Sequence, residues 1–404
     1  MFPELLRWLR SDEARPWLEV LTQAPPDDAQ LLSTLARLRR ALSPEQAGAL
    51  VTQARLRRRA ERKFPGRASR MFFEATALEQ ATSMPVAAWT ARRYARFDWV
   101  ADLGCGLGGD SLALAQVGPQ VLAVDRRALA LALVQANARA WGLSHVIHPI
   151  QADVTAPAWE MAAAWADPAR RDEAGRRFHP DALQPPLGAL LSLQRTRMPH
   201  LGVKLMPGLD HAHIPPEAEA EWISLHGELK EAVLWLGDLV QRPGKRATVL
   251  PAGASLWRSG ARAPVASPGA FLYEPDPAVI RAAAVGDLAQ RLGLWQIDET
   301  IAYLSGDASL ETPFARSWPI LEHHPFHLKT LNRRLRAMNA MVIAVKKRGS
   351  PIAPEPFRRK LRRTPQGRPV IVVLTRVAGR PWMLICAAGP GGRDGSMAAD
   401  ATPD

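Results

Sequence analysis

Cysteine is scarce in this chain. Cys105 and Cys386 are the only two in 404 residues, far apart and in no metal-ligand or disulfide spacing. That excludes a structural zinc knuckle and an oxidised scaffold, and it fits a reducing, cytoplasmic compartment. Long apolar runs are missing as well: none reaches the roughly 20 residues that a spanning helix needs. The opening Met1-Phe2-Pro3-Glu4 lacks the basic and then apolar arrangement of a secretory signal. The expectation is a soluble, unsecreted protein with no membrane partner. His179, His211 and His213 invite a metal reading, but the His211-Ala212-His213 spacing in a loop fits no metal-ligand pattern, so no metal is expected. No internal repeat is visible.

Acidic residues run short in one stretch. Between Lys329 and Arg368, thirteen basic residues face a single acid, Glu355, and this excess accounts for nearly all of the net charge of +13. Charge gathered on one element points to a polyanionic partner, whereas the remainder of the chain is close to neutral. A smaller cluster, Arg55, Arg57, Arg58, Arg59, Arg62, Lys63, Arg67 and Arg70, is opposed only by Glu61 and predicts a second basic surface.

What the chain has in abundance is apolar residues, 47% of the total, enough to bury cores in two or three domains. Residues 1–89 read as a small helical domain. Leu31, Leu35 and Leu38 recur at helical spacing, and Ser43-Pro44-Glu45-Gln46 offers an N-cap followed by proline at the first helical position. From about residue 99 the texture becomes short apolar runs, each followed by a turn and an amphipathic stretch, which is the βα alternation of a parallel sheet. Seven strands are predicted, at 99–103, 120–124, 146–150, 161–165, 202–205, 222–225 and 247–250. Residues 252–316 read as an appendage of this 90–316 domain, with Glu274-Pro275-Asp276-Pro277 opening a helix through Leu292. Residues 317–388 read as a separate small α/β unit, with helices at 328–339 and 354–362 and strands at 341–346 and 369–376. A disordered tail is expected over 389–404.

The segment Asp102-Leu103-Gly104-Cys105-Gly106-Leu107-Gly108-Gly109-Asp110 joins the first strand to a helix. Such a turn lets the backbone approach a ligand, and the helix N-terminus offers unpaired N–H groups. Gly104, Gly106 and Gly109 satisfy the dinucleotide pattern G-x-G-x-x-G. Asp102, Gly104, Gly106 and Gly108 equally satisfy D-x-G-x-G-x-G, so the glycines alone do not choose. The acids favour the second pattern. Asp102 suits the cationic methionine moiety of a sulfonium cofactor and would repel a pyrophosphate. Asp125, Asp153 and Asp167 then follow successive strands, and ligands of open α/β sheets bind beyond the carboxyl ends of the strands. Asp125 stands where a second strand delivers a carboxylate to a ribose diol, and Asp153 where an acceptor for an adenine amino group is wanted.

With Asp167-Pro168 added, these residues resemble a class I S-adenosylmethionine-dependent methyltransferase, over about residues 99–250. The stretch from Leu328 through Val345-Lys346-Lys347-Arg348-Gly349 to Val372-Val373-Leu374-Thr375-Arg376 resembles a THUMP-like domain. Arg62-Lys63-Phe64 and Leu78-Glu79-Gln80-Ala81-Thr82 resemble the N-terminal signature of a bacterial family that carries both. The resemblance implies a Rossmann-like seven-stranded methyltransferase sheet between an N-terminal helical domain and a small C-terminal α/β domain. It implies S-adenosyl-L-methionine as cofactor, held by Asp102, Gly104, Cys105, Gly106, Gly108, Asp125, Arg126 and Asp153.

Asp167-Pro168-Ala169-Arg170 occupies the place of the Asn/Asp-Pro-Pro-aromatic motif of amino-methylating enzymes. The resemblance implies that Asp167 and the carbonyl of Pro168 orient a target amino group. Ala169 and Arg170 depart from the motif, so base stacking by its fourth residue is not carried over. Arg170 and Arg171 are read instead as phosphate contacts, with pairing to an internal acid as the alternative. Trp222 and Trp235 read as core aromatics, and Lys204, at the fifth strand's end, as structural or solvated. Lys346, Lys347, Arg348, Arg358, Arg359 and Lys360 are read as binding RNA, whose phosphates dominate affinity, and the THUMP-like resemblance implies that this RNA is transfer or ribosomal. The alternatives are a protein or small-molecule methyltransferase, or a non-catalytic RNA-binding protein that keeps the cofactor fold as scaffold.

Overall fold

The computed structural model describes residues 3–155, 157, 159–170, 183–361 and 366–388. Arg171, His179, Arg362, Arg363 and the tail 389–404 lie outside the described residues, and so does the side chain of Arg170. The chain forms two compact units: residues up to Leu225 together with Lys230–Gly244, and His226–Leu229 with the residues from Lys245 onward.

The first unit joins the helical segment to a sheet. Helices α1 (Pro3–Leu9), α2 (Arg15–Gln23), α3 (Leu31–Leu38), α4 (Pro44–Ala60), α5 (Ala75–Gln80) and α6 (Met84–Ala91) precede the first strand. The Ser43 cap forms as read: its hydroxyl accepts from Gln46 N and its own N–H donates to the Gln46 side chain, a reciprocal capping box. The strands are β1 (Trp99–Leu103), β2 (Gln120–Asp125), β3 (Ile147–Gln151), β4 (Ala163–Ala166), β5 (His200–Leu205), β6 (Glu219–Leu225) and β7 (Glu228–Leu236). Their order across the sheet is β3-β2-β1-β4-β5-β7-β6, with β1 parallel to both β2 and β4, and β7 antiparallel to β5.

Residues 228–236 form a strand that the sequence reading did not predict, and the strand predicted over 247–250 forms as Gly244–Leu250, paired antiparallel with Ala254–Trp257. The last six residues of β7 are all buried, so its apolar run does not alternate and its periodicity does not distinguish strand from helix. The helical segment lies in the same compact unit as the sheet. Asn137 of α8 (Ala128–Ala140) accepts from Phe72 N at 2.8 Å and donates to the Phe72 and Leu107 carbonyls at 3.1 and 2.9 Å. Tyr94, which follows α6, is fully buried, donates to Ala164 O at 2.8 Å and packs edge-on to Trp165. Gly202 is required there, because a Cβ would lie 2.4 Å from the Tyr94 hydroxyl.

In the second unit seven strands are β8 (Phe271–Pro275), β9 (Trp295–Gln296), β10 (Leu304–Gly306), β11 (Ala315–Pro325), β12 (Ala340–Lys347), β13 (Arg368–Val377) and β14 (Arg380–Ala387), ordered β9-β10-β8-β11-β14-β13-β12. Residues 252–316, expected as an appendage of the parallel sheet, thus supply three strands of this one, with Phe271–Pro275 pairing antiparallel to Ala315–Pro319. The helix expected from residue 277 to 292 is two, Pro277–Arg281 and Val285–Leu292, parted at Ala283, whose φ of +56° is left-handed. Strand β13 is buried on both faces. Val370, Val372 and Leu374 join Leu331, Leu335, Phe357 and Leu361 in one core, while Ile371 and Val373 join Leu272, Tyr303 and Trp318 in another.

Candidate active site

The strand order of the first unit reverses between β1 and β4, the place where open α/β sheets leave a crevice beyond their strand ends. A cavity of about 580 Å³ opens there. The glycine loop forms one wall. Gly104, Gly106 and Gly108 have φ of +88°, +54° and +91°, all in the left-handed region. A Cβ on Gly104 would stand 3.2 Å from the Asp167 carbonyl oxygen, so side chains here would fill the space between loop and β4 end. Gly104 N and Cys105 N both donate to Val124 O, at 2.9 and 3.0 Å, fastening the loop to β2. Asp125 accepts from Gly106 N at 3.2 Å and Arg127 N at 2.8 Å, and so stands at the cavity wall with its carboxylate fixed. Cys105 lines the same wall, and burial followed by the nearby Asp102 pushes its thiol up.

Asp153 also lines the cavity. Its carboxylate accepts from the Thr155 hydroxyl and N–H at 2.7 and 2.8 Å, which holds it below the usual carboxylate range. Arg126, exposed beside it, reaches Gln184 at 3.4 Å. Asp102 differs from its companions. It is 1% exposed, absent from the cavity lining, and accepts from the Ser111 hydroxyl behind the loop. Burial, then Asp110, pushes its carboxyl well up. The glycine cradle with the fixed Asp125 and Asp153 carboxylates fits a ligand carrying a ribose diol and an adenine amino group.

At the other end of the cavity stand Asp110, Asp167, Lys204 and Glu231, with Thr82 and Lys230. Pro168 and Ala169 line it beside Asp167, and Ala169–Arg170 pairs with Leu183–Gln184. Lys204, read as structural or solvated, belongs to the site: its ammonium donates to Asp167 at 2.7 Å and to Gln80 O at 3.4 Å. Burial works against that charge, but Asp167, Asp110 and Glu231 outweigh it and hold the ammonium above the ordinary lysine range. Burial pushes Asp110 up to about 6, with Lys204 opposing. Glu231 arrives on β7, the strand the sequence reading did not find, and so went unseen with it. Burial pushes it up to about 8, again against Lys204.

The segments 62–64 and 78–82 come together here. The Lys63 ammonium donates to the carbonyls of Leu78, Glu79 and Ala81 at 2.7 to 2.8 Å, satisfying the C-terminal end of α5 and setting Gln80, Ala81 and Thr82 in the cavity wall. Phe64 packs where a Cβ on Gly109 would point, 3.5 Å away. The second basic surface is correspondingly thinned: Lys63 is turned inward, and buried Arg57 donates to Met71 O and Thr22. Trp222 and Trp235 are fully buried core residues as read, donating to Pro207 O and Glu221. Among the described residues no cluster of His, Cys, Asp and Glu could hold a metal, and no helix is long and apolar enough to cross a membrane.

In the second unit the basic residues divide. Lys346 pairs with Glu274 at 2.8 Å and lies over Trp318, while Arg348 lies 3.7 Å from Glu274 and over Tyr303. Lys347, Arg358, Arg359 and Lys360 are exposed. The helix Leu328–Ala337 buries Leu331 and Leu335 and exposes Lys329, Arg333 and Arg336, spaced along one face. Asn332 of that helix donates to Lys360 O at 3.3 Å, tying it to the turn that carries the other exposed cations.

Known proteins agree with this geometry. Residues 97–196 match a family model described as RNA cap guanine-N2 methyltransferase, 315–388 one described as THUMP domain-like, and 3–60 a domain of unknown function. Two relatives, from the CDC 1551 and H37Rv strains of Mycobacterium tuberculosis, each described as an uncharacterised S-adenosylmethionine-dependent methyltransferase, are 36% identical over 351 residues, covering 84% of this chain and 95% of theirs. The crystal structure of a candidate methyltransferase from Porphyromonas gingivalis W83 shares the fold, with a TM-score of 0.70 at 20% identity, over 89% of this chain and 98% of that one. With a glycine cradle, an ordered series of acids and a switch-point cavity on the same sheet, the chain belongs to the S-adenosylmethionine-dependent methyltransferases and is an enzyme of that family.

Proposed function

We propose that this enzyme methylates a base nitrogen of RNA, transfer or ribosomal, with the basic C-terminal segment supplying phosphate contacts. The observation that carries the reading is the Asp167-Pro168 turn, which stands in the wall of the same cavity as the glycine loop, its carbonyl packed on Gly104 and its carboxylate on Lys204. The matched description of an RNA cap guanine-N2 methyltransferase over 97–196 and the THUMP-like match over 315–388 support an RNA base amino group as acceptor. So do exposed cations of the second unit, among them Lys329, Arg333, Arg336, Lys347, Arg358, Arg359 and Lys360.

Gly104, Cys105, Gly106, Gly108, Asp125, Arg126 and Asp153 would hold the cofactor, which supplies an electrophilic methyl group on a sulfonium. The chain's own part is alignment. Asp167 and the Pro168 carbonyl accept from the target N–H groups and point the nitrogen lone pair into the cavity. The lone pair aligned in this way would take up the methyl group that the cofactor supplies. The nitrogen then sheds one proton.

The test is transfer from a labelled methyl donor to RNA of cells lacking the protein, followed by nucleoside mass spectrometry. Labelled RNA is expected, with less label entering RNA of normal cells; label in protein alone would overturn the reading. Asp167→Ala should lower transfer by a hundredfold or more, about the cost of losing one aligned transition-state contact, while S-adenosylhomocysteine affinity by calorimetry stays within about twofold.

A further inference from the structure

Three carboxyl groups gather about the Lys204 ammonium at the end of the cavity opposite Asp125. Asp110 comes from the first turn of α7 (Gly109–Gln116), Asp167 from the end of β4, Lys204 from the end of β5 and Glu231 from β7. Lys204 is committed to Asp167 at 2.7 Å. Glu231 is 3% exposed and has little to hold a negative charge. Its Oε1 has no partner, and its Oε2 receives only a long hydrogen bond from the Thr82 hydroxyl at 3.5 Å. Besides Lys204, the charged groups that face it are carboxyls: Asp110, Asp167 and Glu221. Lys230, its neighbour on β7, lines the same cavity.

An ionised carboxylate left without partners in a low-dielectric site costs more than keeping its proton. A protonated carboxyl group, unlike a carboxylate, is a hydrogen-bond donor. We propose that Glu231 acts as a neutral carboxylic acid that donates a hydrogen bond to the methyl acceptor, to a carbonyl oxygen or unprotonated ring nitrogen beside the amino group aligned on Asp167. The inference rests on the amino-group reading above and narrows it: the site recognises the edge of a heterocycle or amide, where a donor and an acceptor stand side by side, and rejects a simple alkylamine. Burial supports the neutral form, since Glu231 is pushed up to about 8. Glu231 thus selects and positions the acceptor, and Asp167 remains the group that meets the reacting nitrogen.

The full-length protein tests this in two ways. Infrared difference spectra of wild type against Glu231→Gln should show a protonated-carboxyl stretch near neutral pH that disappears as pH rises through about 8. If that band is missing at neutral pH, the proposal falls. In transfer to RNA from cells lacking the protein, Glu231→Ala should lose roughly tenfold to a hundredfold in kcat/KM, the range for an unmade buried hydrogen bond. Glu231→Gln, a neutral donor at all pH values, should recover to within about threefold of wild type and lack the wild type's alkaline decline. Equal losses in both variants, or an alkaline decline that persists in Glu231→Gln, would overturn the assignment. S-adenosylhomocysteine affinity should be the same in all three proteins, and its loss in Glu231→Ala would make the residue structural. Wild-type protein that fails to label RNA strikes the reading of the substrate, whereas the missing infrared band strikes this proposal.

Discussion

The two units of this chain use charge in opposite ways. In the first, ionisable groups are drawn inward around one cavity, where Lys204 must serve three carboxyls and burial moves Asp110 and Glu231 from their ordinary values. In the second, the cations Lys329, Arg333, Arg336, Arg358, Arg359 and Lys360 stand outward over an apolar core. Burial makes a charge scarce and directional, which suits chemistry. Exposure makes it plentiful, additive and sensitive to salt, which suits holding a polyanion.

The sharpest break of that contrast is Lys204→Met. Removing the Lys204 ammonium leaves buried carboxyls unbalanced, and loss of one partner of a buried pair costs about 3–5 kcal/mol. Raised carboxyls contribute stability at low pH that is lost as pH rises through their folded values, so the deficit should be largest near pH 8 and shrink toward pH 5. Denaturant titrations across that range check it; a deficit independent of pH would mean that the carboxyls are not coupled to Lys204.

On the outward side, Arg358→Gln, Arg359→Gln and Lys360→Gln together should weaken RNA binding by roughly tenfold and reduce the slope of log affinity on log salt by about two. Lys346→Met should change that slope little, because its ammonium is spent on Glu274. Equal salt slopes for the triple variant and the wild type would show that these cations do not meet phosphates. The smallest effect belongs to an ion pair between the two extremes. Arg334 hydrogen-bonds Glu322 and holds its carboxyl down at about 2. A depressed carboxyl stabilises above its ordinary range and loses that contribution as pH falls toward 2. Arg334→Gln should therefore lower the melting temperature slightly at neutral pH, with the difference closing in acid.

The same contrast explains what could be read before the fold was known. The glycine wall of the cavity was legible because backbone geometry writes itself into sequence: left-handed φ at Gly104, Gly106 and Gly108 demands glycine, Asp125 ends its strand, and Asp153 follows the next by two residues. Asp167 was legible for the same reason. Lys204 was noticed at its strand end but its partner was not, since no local pattern shows that Asp167, 37 residues away, would meet it. Glu231 lay in a strand buried on both faces, whose periodicity is silent. The basic runs were plain, but composition does not separate Lys346, turned to Glu274, from its exposed neighbour Lys347. The strands over 271–306 were missed because two of them have only two or three residues.

Lys63 bears on where this protein can be cut. The methyltransferase family match begins at residue 97, and a chain trimmed there would look whole by that standard. It would lack the ammonium that satisfies the carbonyls of Leu78, Glu79 and Ala81, and with it Gln80 and Thr82, which close the cavity beside Lys204 and Glu231. The smallest catalytic piece is therefore larger than the smallest recognisable one. Its amino-terminal limit is set by a side chain that need never touch the methyl group.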